Sequence, residues 1–548
     1  MIPVEQIWPP EFVARYRAAG HWRGETFGAF LRARAEAHPE RVAVVGSAGQ
    51  RWTYAELDRR ADAMACGLLA QGLRPGDRVV VQLPNVPEFI SVVFGLFRAG
   101  ILPLYALPAH RITEVEHFAR TGEAAGYVIA ERHDNFDYRT LAAELQQRVP
   151  GVRHVFVAGD VGDSGFTPLS VLESTDPAPA ADLPARDAQS VAFLQISGGS
   201  TGLSKLIPRT HDDYIYTLRE SARISGLDAH SVFLVALPIE HNFPMSSPGF
   251  LGALYAGGTV VLSPSPSPEV AFPLIARHRV QQVSLVPPLL MLWLQAAEQS
   301  PHDLSSLAVI QVGGAKLAAE VAKRVKPTLG ATLQQVFGMA EGLVNYTRLD
   351  DDEDTIVNTQ GRAISPDDEV LIVDDLGQPV PEGEAGYLLT RGPYTIRGYH
   401  NNPSANERSF TADGYYRTGD IVKRLPGGYL VVQGRAGDHI NRAGEKISAE
   451  EIEDHLLAHP QVFDVAVVSV PDEFLGERSC AFVIPKGEKP RGAALKQWVR
   501  GRGLADFKVP DQVVFVDAFT ATAAGKISRK ELRAQLRATL TAQENTTP

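Results

Sequence analysis

Nine consecutive residues, Ser197, Gly198, Gly199, Ser200, Thr201, Gly202, Leu203, Ser204 and Lys205, have the types that grip polyphosphate. Glycines admit positive φ and expose backbone N–H groups to an anion, Ser and Thr hydroxyls add donors, and Lys205 closes the run with a positive charge. The apolar stretch 191–196 just before reads as a strand, so these donors sit at a strand end. The run is not a G-x-x-x-x-G-K-[ST] loop, because Leu203 and Ser204 separate Gly202 from Lys205. Around Gly525 and Lys526, Thr520 stands where the first glycine of that loop belongs. A flexible Ser/Gly linker shares the composition. The strand before and the lysine after point instead to a polyphosphate cradle in a nucleotide-using enzyme.

Other residues have types suited to the same ligand. Phe337 and Gly338 follow a strand-like run, where an aromatic could stack on a base, and Glu341 has the carboxylate a divalent cation takes. A core Phe and a solvated Glu are the plainer reading. Asp420, after Tyr416 and Gly419, offers a carboxylate to ribose hydroxyls or is part of an ordinary turn. Arg435 adds a guanidinium for phosphate or ribose, and Lys526 a second cation that, seen alone, would be a solvated surface group. In the segment 237–249, Asn242 has an amide able to meet a phenol ortho to a carboxylate, Ser247 a small hydroxyl, and Phe243 an aromatic wall. Alternatively this segment caps a helix, with Ser246 or Ser247 at the N-cap and Pro248 in the first turn.

Strands and helices taking turns must position these groups. A helix is expected from Tyr54 to about Leu73, a turn at Pro75 and Gly76, and a strand over 78–83. Strands near 232–237, 259–262, 282–286, 308–312 and 332–336 alternate with helices near 268–279, 289–299 and 316–325. Apolar rather than alternating strands imply parallel sheets covered by helices on both faces. The Pro- and Ala-rich stretch 176–184 reads as a surface connection. From about 365 short strands with Gly and Pro turns imply a β-rich part, and roughly 110 residues after it suffice for a small domain. The expected fold is α/β, with a large N-terminal core over 1–434 that includes the β-rich part at about 365–434. A hinge at 435–437 and a small mobile α+β domain over 438–548 complete it.

A net charge of −11 gives no global basic field for nucleic acid, so local donors must hold any phosphate. Cys66 and Cys480 are too few for a disulfide framework or a Cys-based metal site, which fits a reducing compartment. The N-terminus lacks the order of a signal peptide, and the dense apolar run 89–97 is far shorter than the ~20 residues of a membrane helix. A soluble cytoplasmic protein with no nucleic-acid or membrane partner is expected.

In their order, these motifs resemble the adenylate-forming superfamily of acyl-CoA synthetases, peptide-synthetase adenylation domains and luciferases, over about 26–536. Such enzymes join a carboxylic acid to ATP, release pyrophosphate and pass the acyl group from AMP to a thiol. The resemblance implies that Ser197, Gly198, Gly199, Ser200, Thr201, Gly202 and Lys205 hold pyrophosphate. It implies Gly314, Val336, Phe337, Gly338, Asp420 and Arg435 as further ATP and AMP contacts, and Glu341 as the Mg²⁺ ligand. Lys526, Glu341 and His241 are implied as catalytic, Gly437 as the hinge, and Gly444 as the passage for a pantetheine arm. Carboxylate attack on the α-phosphate brings like charges together, so cations and oriented N–H groups must offset the charge of the transition state.

His241, Asn242, Phe243, Pro244, Ser246, Ser247, Pro248 and Gly249, with the runs 313–316 and 336–350, resemble the aryl-acid-activating branch that serves siderophore and nonribosomal peptide biosynthesis. That likeness implies an aryl acid held by Asn242, Phe243, Ser247, Ala315 and Val344, with Asn242 at a 2-hydroxyl. Ser247, where salicylate enzymes tend to have Cys, favours 2,3-dihydroxybenzoate over salicylate or a heteroaromatic analogue. The implied acceptor is the phosphopantetheine thiol of a separate aryl carrier protein. Delivery to free coenzyme A and a non-catalytic adenylate-binding homologue are the alternatives. The chain departs from the branch at Phe243, where Tyr is frequent, and at Gly437, where Lys or Asp is usual. It also lacks the Pro and basic residue common just before the position of Lys526.

Overall fold

The computed structural model describes residues 7–176, 183–197, 204–436, 440–442, 445–472, 475–502, 508–519, 531, 532 and 534. Gly198, Gly199, Ser200, Thr201, Gly202, Gly437, Gly444 and Lys526 lie outside these described residues.

Two large sheets carry the site. One is nine-stranded, in the order Arg362–Ala363, Gly342–Tyr346, Thr332–Met339, Val309–Gly313, Gln282–Leu285, Val232–Val235, Thr259–Leu262, Val42–Val45 and Arg51–Thr53. From Thr332–Met339 to Val42–Val45 the pairing is parallel, and antiparallel strands finish both edges. The inner strands are mostly apolar and almost wholly buried, as strands covered on both faces must be, with Gln282, Ser284 and Gln311 buried among them. The second sheet orders Leu206–Thr210, Val191–Ile196, Leu102–Tyr105, Arg78–Gln82, Ala124–Ala130, His154–Ala158 and Thr167–Pro168. Only its first pair is antiparallel.

The sheets share one core. Helix Pro87–Ala99 buries every residue but Glu88, as a helix apolar all round must, and packs with Val79 and Val81 of one sheet and Phe233 and Val235 of the other. Helix Tyr54–Ala70 joins the same core and starts where the Thr53 hydroxyl accepts from the Glu56 N–H. The single helix expected over 316–325 is instead two short ones, Ala319–Ala322 and Val325–Leu329. Pro327 accounts for the break, because it lacks an N–H and its ring crowds the carbonyl four residues back.

Strands Glu369–Val373, Ala385–Arg391, Tyr416–Arg424 and Leu430–Arg435 form an antiparallel meander, the β-rich part. Ile440–Arg442 opens a five-stranded sheet that packs helices Ala449–Leu457 and Gly492–Gly501 around Ile452, Val467, Leu495 and Val499. The fold is thus α/β with a small α+β unit at its C-terminal end. Among the described residues no helix is long and apolar enough to cross a membrane.

Candidate active site

Ser197 and Lys205 stand at the ends of two neighbouring strands. Strands Val191–Ile196 and Leu206–Thr210 pair antiparallel, and two bonds close the neck above them. The Ser197 N–H donates to the Lys205 carbonyl at 2.9 Å, and the Lys205 N–H donates to Ser197 Oγ at 2.8 Å. From this neck Lys205 sends Nζ to the Tyr399 hydroxyl at 3.2 Å, 4.2 Å from the centre of that ring. Burial lowers the Lys205 pKa, and the Glu341 carboxylate opposes that shift.

Glu341 sits at a hairpin turn. Phe337 and Gly338 lie inside strand Thr332–Met339 rather than after it, and Gly342 begins the next strand, so Ala340 and Glu341 form a tight turn. Arg209, 1% exposed, braces this turn: Nη1 donates to the Ala340 carbonyl at 2.9 Å while Nε pairs with Asp213 at 2.9 Å. Glu341 Oε1 accepts from the Tyr399 hydroxyl at 2.9 Å, and the Tyr416 hydroxyl lies 3.0 Å from that same phenol oxygen. Burial first, and then Glu341, push the Tyr399 phenol far up, so it stays a neutral donor. Phe337 is half-buried beside Leu343 and Ile372.

Asp420 is also not on a plain turn. It lies within strand Tyr416–Arg424, directly across from Arg435. Gly419 takes φ +77° within this strand, a conformation that glycine enters without strain. Buried Asp420 pairs with Arg435 Nε at 2.9 Å, and Arg435 Nη1 donates to the Thr418 carbonyl at 2.8 Å.

The segment 237–249 follows strand Val232–Val235. Asn85, far back in sequence, fixes its path: Nδ2 donates to the carbonyls of Leu237 and Ser263 at 3.0 Å, and Oδ1 accepts from the Ile239 N–H at 2.9 Å. The Gln195 amide then holds the Glu240 carbonyl at 3.0 Å. His241 is the N-cap of the short helix Asn242–Ser246, with Ser247 its C-cap, and Pro248 caps the next helix, Gly249–Tyr255. Neither serine is the N-cap that the sequence suggested, because the backbone is already helical from Asn242.

The Tyr214 hydroxyl donates to Asn242 Oδ1 at 2.8 Å, which takes the carbonyl end of that amide and leaves its NH₂ as the donor end. Phe243 packs in one cluster with Val336 and Val344, its ring over Gly313. A Cβ on Gly313 would come 3.1 Å from that ring and 2.7 Å from the Val336 carbonyl, so only glycine allows this approach. Ser247 is buried next to the Tyr346 phenol, which burial pushes up and the Ser221 and Ser247 hydroxyls pull down. Gly314 and Ala315 are exposed at the end of strand Val309–Gly313, and Lys316 beyond them pairs with Asp454 of helix Ala449–Leu457 at 2.9 Å.

The structure therefore gathers Lys205 and Glu341 around one phenol, Asp420 and Arg435 as a pair, and Phe243, Val336 and Val344 in one cluster. Sequence reasoning missed Tyr399, Tyr214, Arg209, Asn85 and Glu240. Glu240 is 2% exposed, neither of its carboxylate oxygens has a hydrogen-bond partner among the described residues, and burial raises its pKa well above the usual range. Its place next to His241 was the available signal.

Residues 31–400 match the AMP-binding enzyme family and residues 451–526 the AMP-binding enzyme C-terminal domain, so the chain belongs to that family of adenylate-forming ligases. Among its relatives, the 2,3-dihydroxybenzoate-AMP ligase of Bacillus subtilis (strain 168) is 56% identical over 526 residues, 96% of each chain. The salicyl-AMP ligase / salicyl-S-ArCP synthetase of Mycobacterium tuberculosis is 46% identical over 96% of this chain and 94% of its own. The apo structure of Mycobacterium smegmatis MbtA is similar in fold, with a TM-score of 0.75, 47% identity and coverage of 97% and 98% of the two chains.

Proposed function

We propose that the protein joins an aryl acid, 2,3-dihydroxybenzoate, to ATP, releasing pyrophosphate, and then loads the aryl group onto the phosphopantetheine thiol of a carrier protein. One observation carries the choice of acid. Tyr214 occupies the carbonyl end of Asn242, so a donor NH₂ is presented beside the Phe243 wall, with the Ser247 hydroxyl one helical turn on. A 2-hydroxyl would accept from Asn242 and a 3-hydroxyl would meet Ser247. The Bacillus subtilis relative's name supports the same acid.

On the nucleotide side, Lys205 and the 198–202 donors hold pyrophosphate, while Asp420, kept in place by Arg435, accepts from ribose hydroxyls. Phe337, Gly338, Val336 and Gly314 border the base. Among the described residues no three His, Cys, Asp or Glu gather as a metal cage. A lone carboxylate such as Glu341 suits Mg²⁺, which keeps its waters and shares phosphate oxygens. Bound there, Mg²⁺ offsets charge that builds on the phosphates. Lys526 supplies a second positive charge, and His241 borders the reacting carboxylate. Ala315 and Val344 complete the acid's surroundings. The C-terminal part, 438–548, turns at Gly437 between the half-reactions, and Gly444 admits the pantetheine arm. A cytoplasmic location, where ATP is at hand, fits this reading.

Acid-dependent ATP–pyrophosphate exchange tests this with 2,3-dihydroxybenzoate, salicylate and benzoate. 2,3-Dihydroxybenzoate should lead. Salicylate ahead by about tenfold, some 1.4 kcal/mol, would overturn the Ser247 assignment. No exchange with any aryl acid would overturn the reaction, and steady AMP release with coenzyme A alone would overturn the carrier.

A further inference from the structure

We propose that Tyr399 is a positioning residue of the nucleotide site, whose hydroxyl keeps Lys205 and Glu341 from pairing with each other. The inference rests on the roles given to those two residues above. A phenol has one proton and two lone pairs. The Tyr399 proton goes to Glu341 Oε1 at 2.9 Å, the strongest acceptor present, and its oxygen accepts from Lys205 Nζ at 3.2 Å and from the Tyr416 hydroxyl at 3.0 Å. The hydroxyl is then fully used. It lies between a cation and an anion that belong to different sheets, Lys205 at a strand end and Glu341 at a hairpin turn.

The backbone holds Tyr399 at this spot from both sides. Asn406 Oδ1 accepts from the Tyr399 N–H at 2.7 Å and Asn406 Nδ2 donates to its carbonyl at 3.1 Å. The next residue, His400, donates its N–H to the Leu206 carbonyl at 2.9 Å, next in sequence to Lys205. Phe410 and Tyr416 pack the ring, which is completely buried. Two opposite charges in such a place attract strongly, and a direct pair would turn each away from its ligand. The phenol stands in the way and satisfies both without neutralising either.

Calorimetric titration of the full chain with Mn²⁺·ATP tests this apart from catalysis. Tyr399→Phe keeps the ring and its packing, and thermal melting checks the fold. It is expected to weaken Mn²⁺·ATP binding about 10- to 100-fold, the usual cost of a lost hydrogen bond to charged groups. In a Lys205→Met background, where no pair can form, the same change should cost only about 2- to 3-fold beyond Lys205→Met alone. Tyr416→Phe, which removes a donor to the phenol but leaves the barrier, should also cost about 2- to 3-fold. An equal penalty for Tyr399→Phe in both backgrounds would show that the hydroxyl acts independently of Lys205 and does not separate the pair, and no penalty in either would remove it from the site. If wild type exchanges pyrophosphate but this coupling is absent, only the Tyr399 inference falls. If the coupling is present without exchange, only the reaction falls, and a wild type that binds no Mn²⁺·ATP overturns both.

Discussion

Lys205, Glu341 and Asp420 are charged groups, the first two joined through one phenol and the third paired with Arg435, whereas Asn242, Phe243 and Ser247 are neutral and lie among phenols, a glycine and valines. The side proposed for the nucleotide is a wired arrangement of charges set on strands and a hairpin turn. The side proposed for the acid is a short helix on a clipped loop, with a few neutral dipoles against apolar walls. Phosphate charge is the same whatever acid is activated, so its partners can be fixed in advance. A choice among acids that differ by one hydroxyl must come from single neutral contacts, which are individually small. Loss on the first side should therefore depress the reaction for every acid, and loss on the second should change the ranking of acids.

The largest effect is expected for Lys526→Ala, which should lower pyrophosphate exchange about 10²- to 10³-fold with every acid yet leave aryl transfer from preformed aryl-AMP near normal. Unequal losses among the acids would blur the division between the sides. Asn242→Ala comes next. Its kcat/KM should fall about 10- to 100-fold for 2-hydroxy acids and by less than about threefold for benzoate, and a uniform fall would make Asn242 a scaffold residue.

The smallest effect concerns Glu240, the one carboxyl placed among the neutral groups. Burial raises its pKa, so the folded protein keeps a proton that the unfolded chain gives up above about pH 4.3. Stability contributed by this site therefore falls as pH rises from that value towards the folded pKa. Glu240→Gln removes the titration, so its melting temperature relative to wild type should improve between pH 5 and pH 8 by about 2 °C or more. An offset independent of pH would show that Glu240 does not titrate across that range.

Much of the alternating architecture was legible because apolar strands and amphipathic helices announce themselves locally. The residues 232–235, 259–262 and 282–285 are strands within two residues of expectation. The local geometry of the motifs was less so. Ala340 and Glu341 form a hairpin turn because strand pairing continues through Met339, and Asp420 is held in a strand by its register with Arg435. Both depend on a partner strand that the motif itself does not contain. Tyr399 was illegible for a stronger reason: it lies 194 residues from Lys205 and 58 from Glu341, and no spacing rule links them. The strand pair that ends at Ser197 and Lys205 was half legible, with its first strand foreseen and its returning partner, Leu206–Thr210, not.

Asn85 has a consequence for any attempt to move this specificity elsewhere. The segment 237–249 holds the side chains that would choose the acid, but its path is set by an amide about 150 residues upstream that is anchored to the other sheet. A graft of those thirteen residues into a different scaffold would carry the vocabulary of the choice without its grammar. The portable unit is the segment together with Asn85 and the turn that leads into helix Pro87–Ala99.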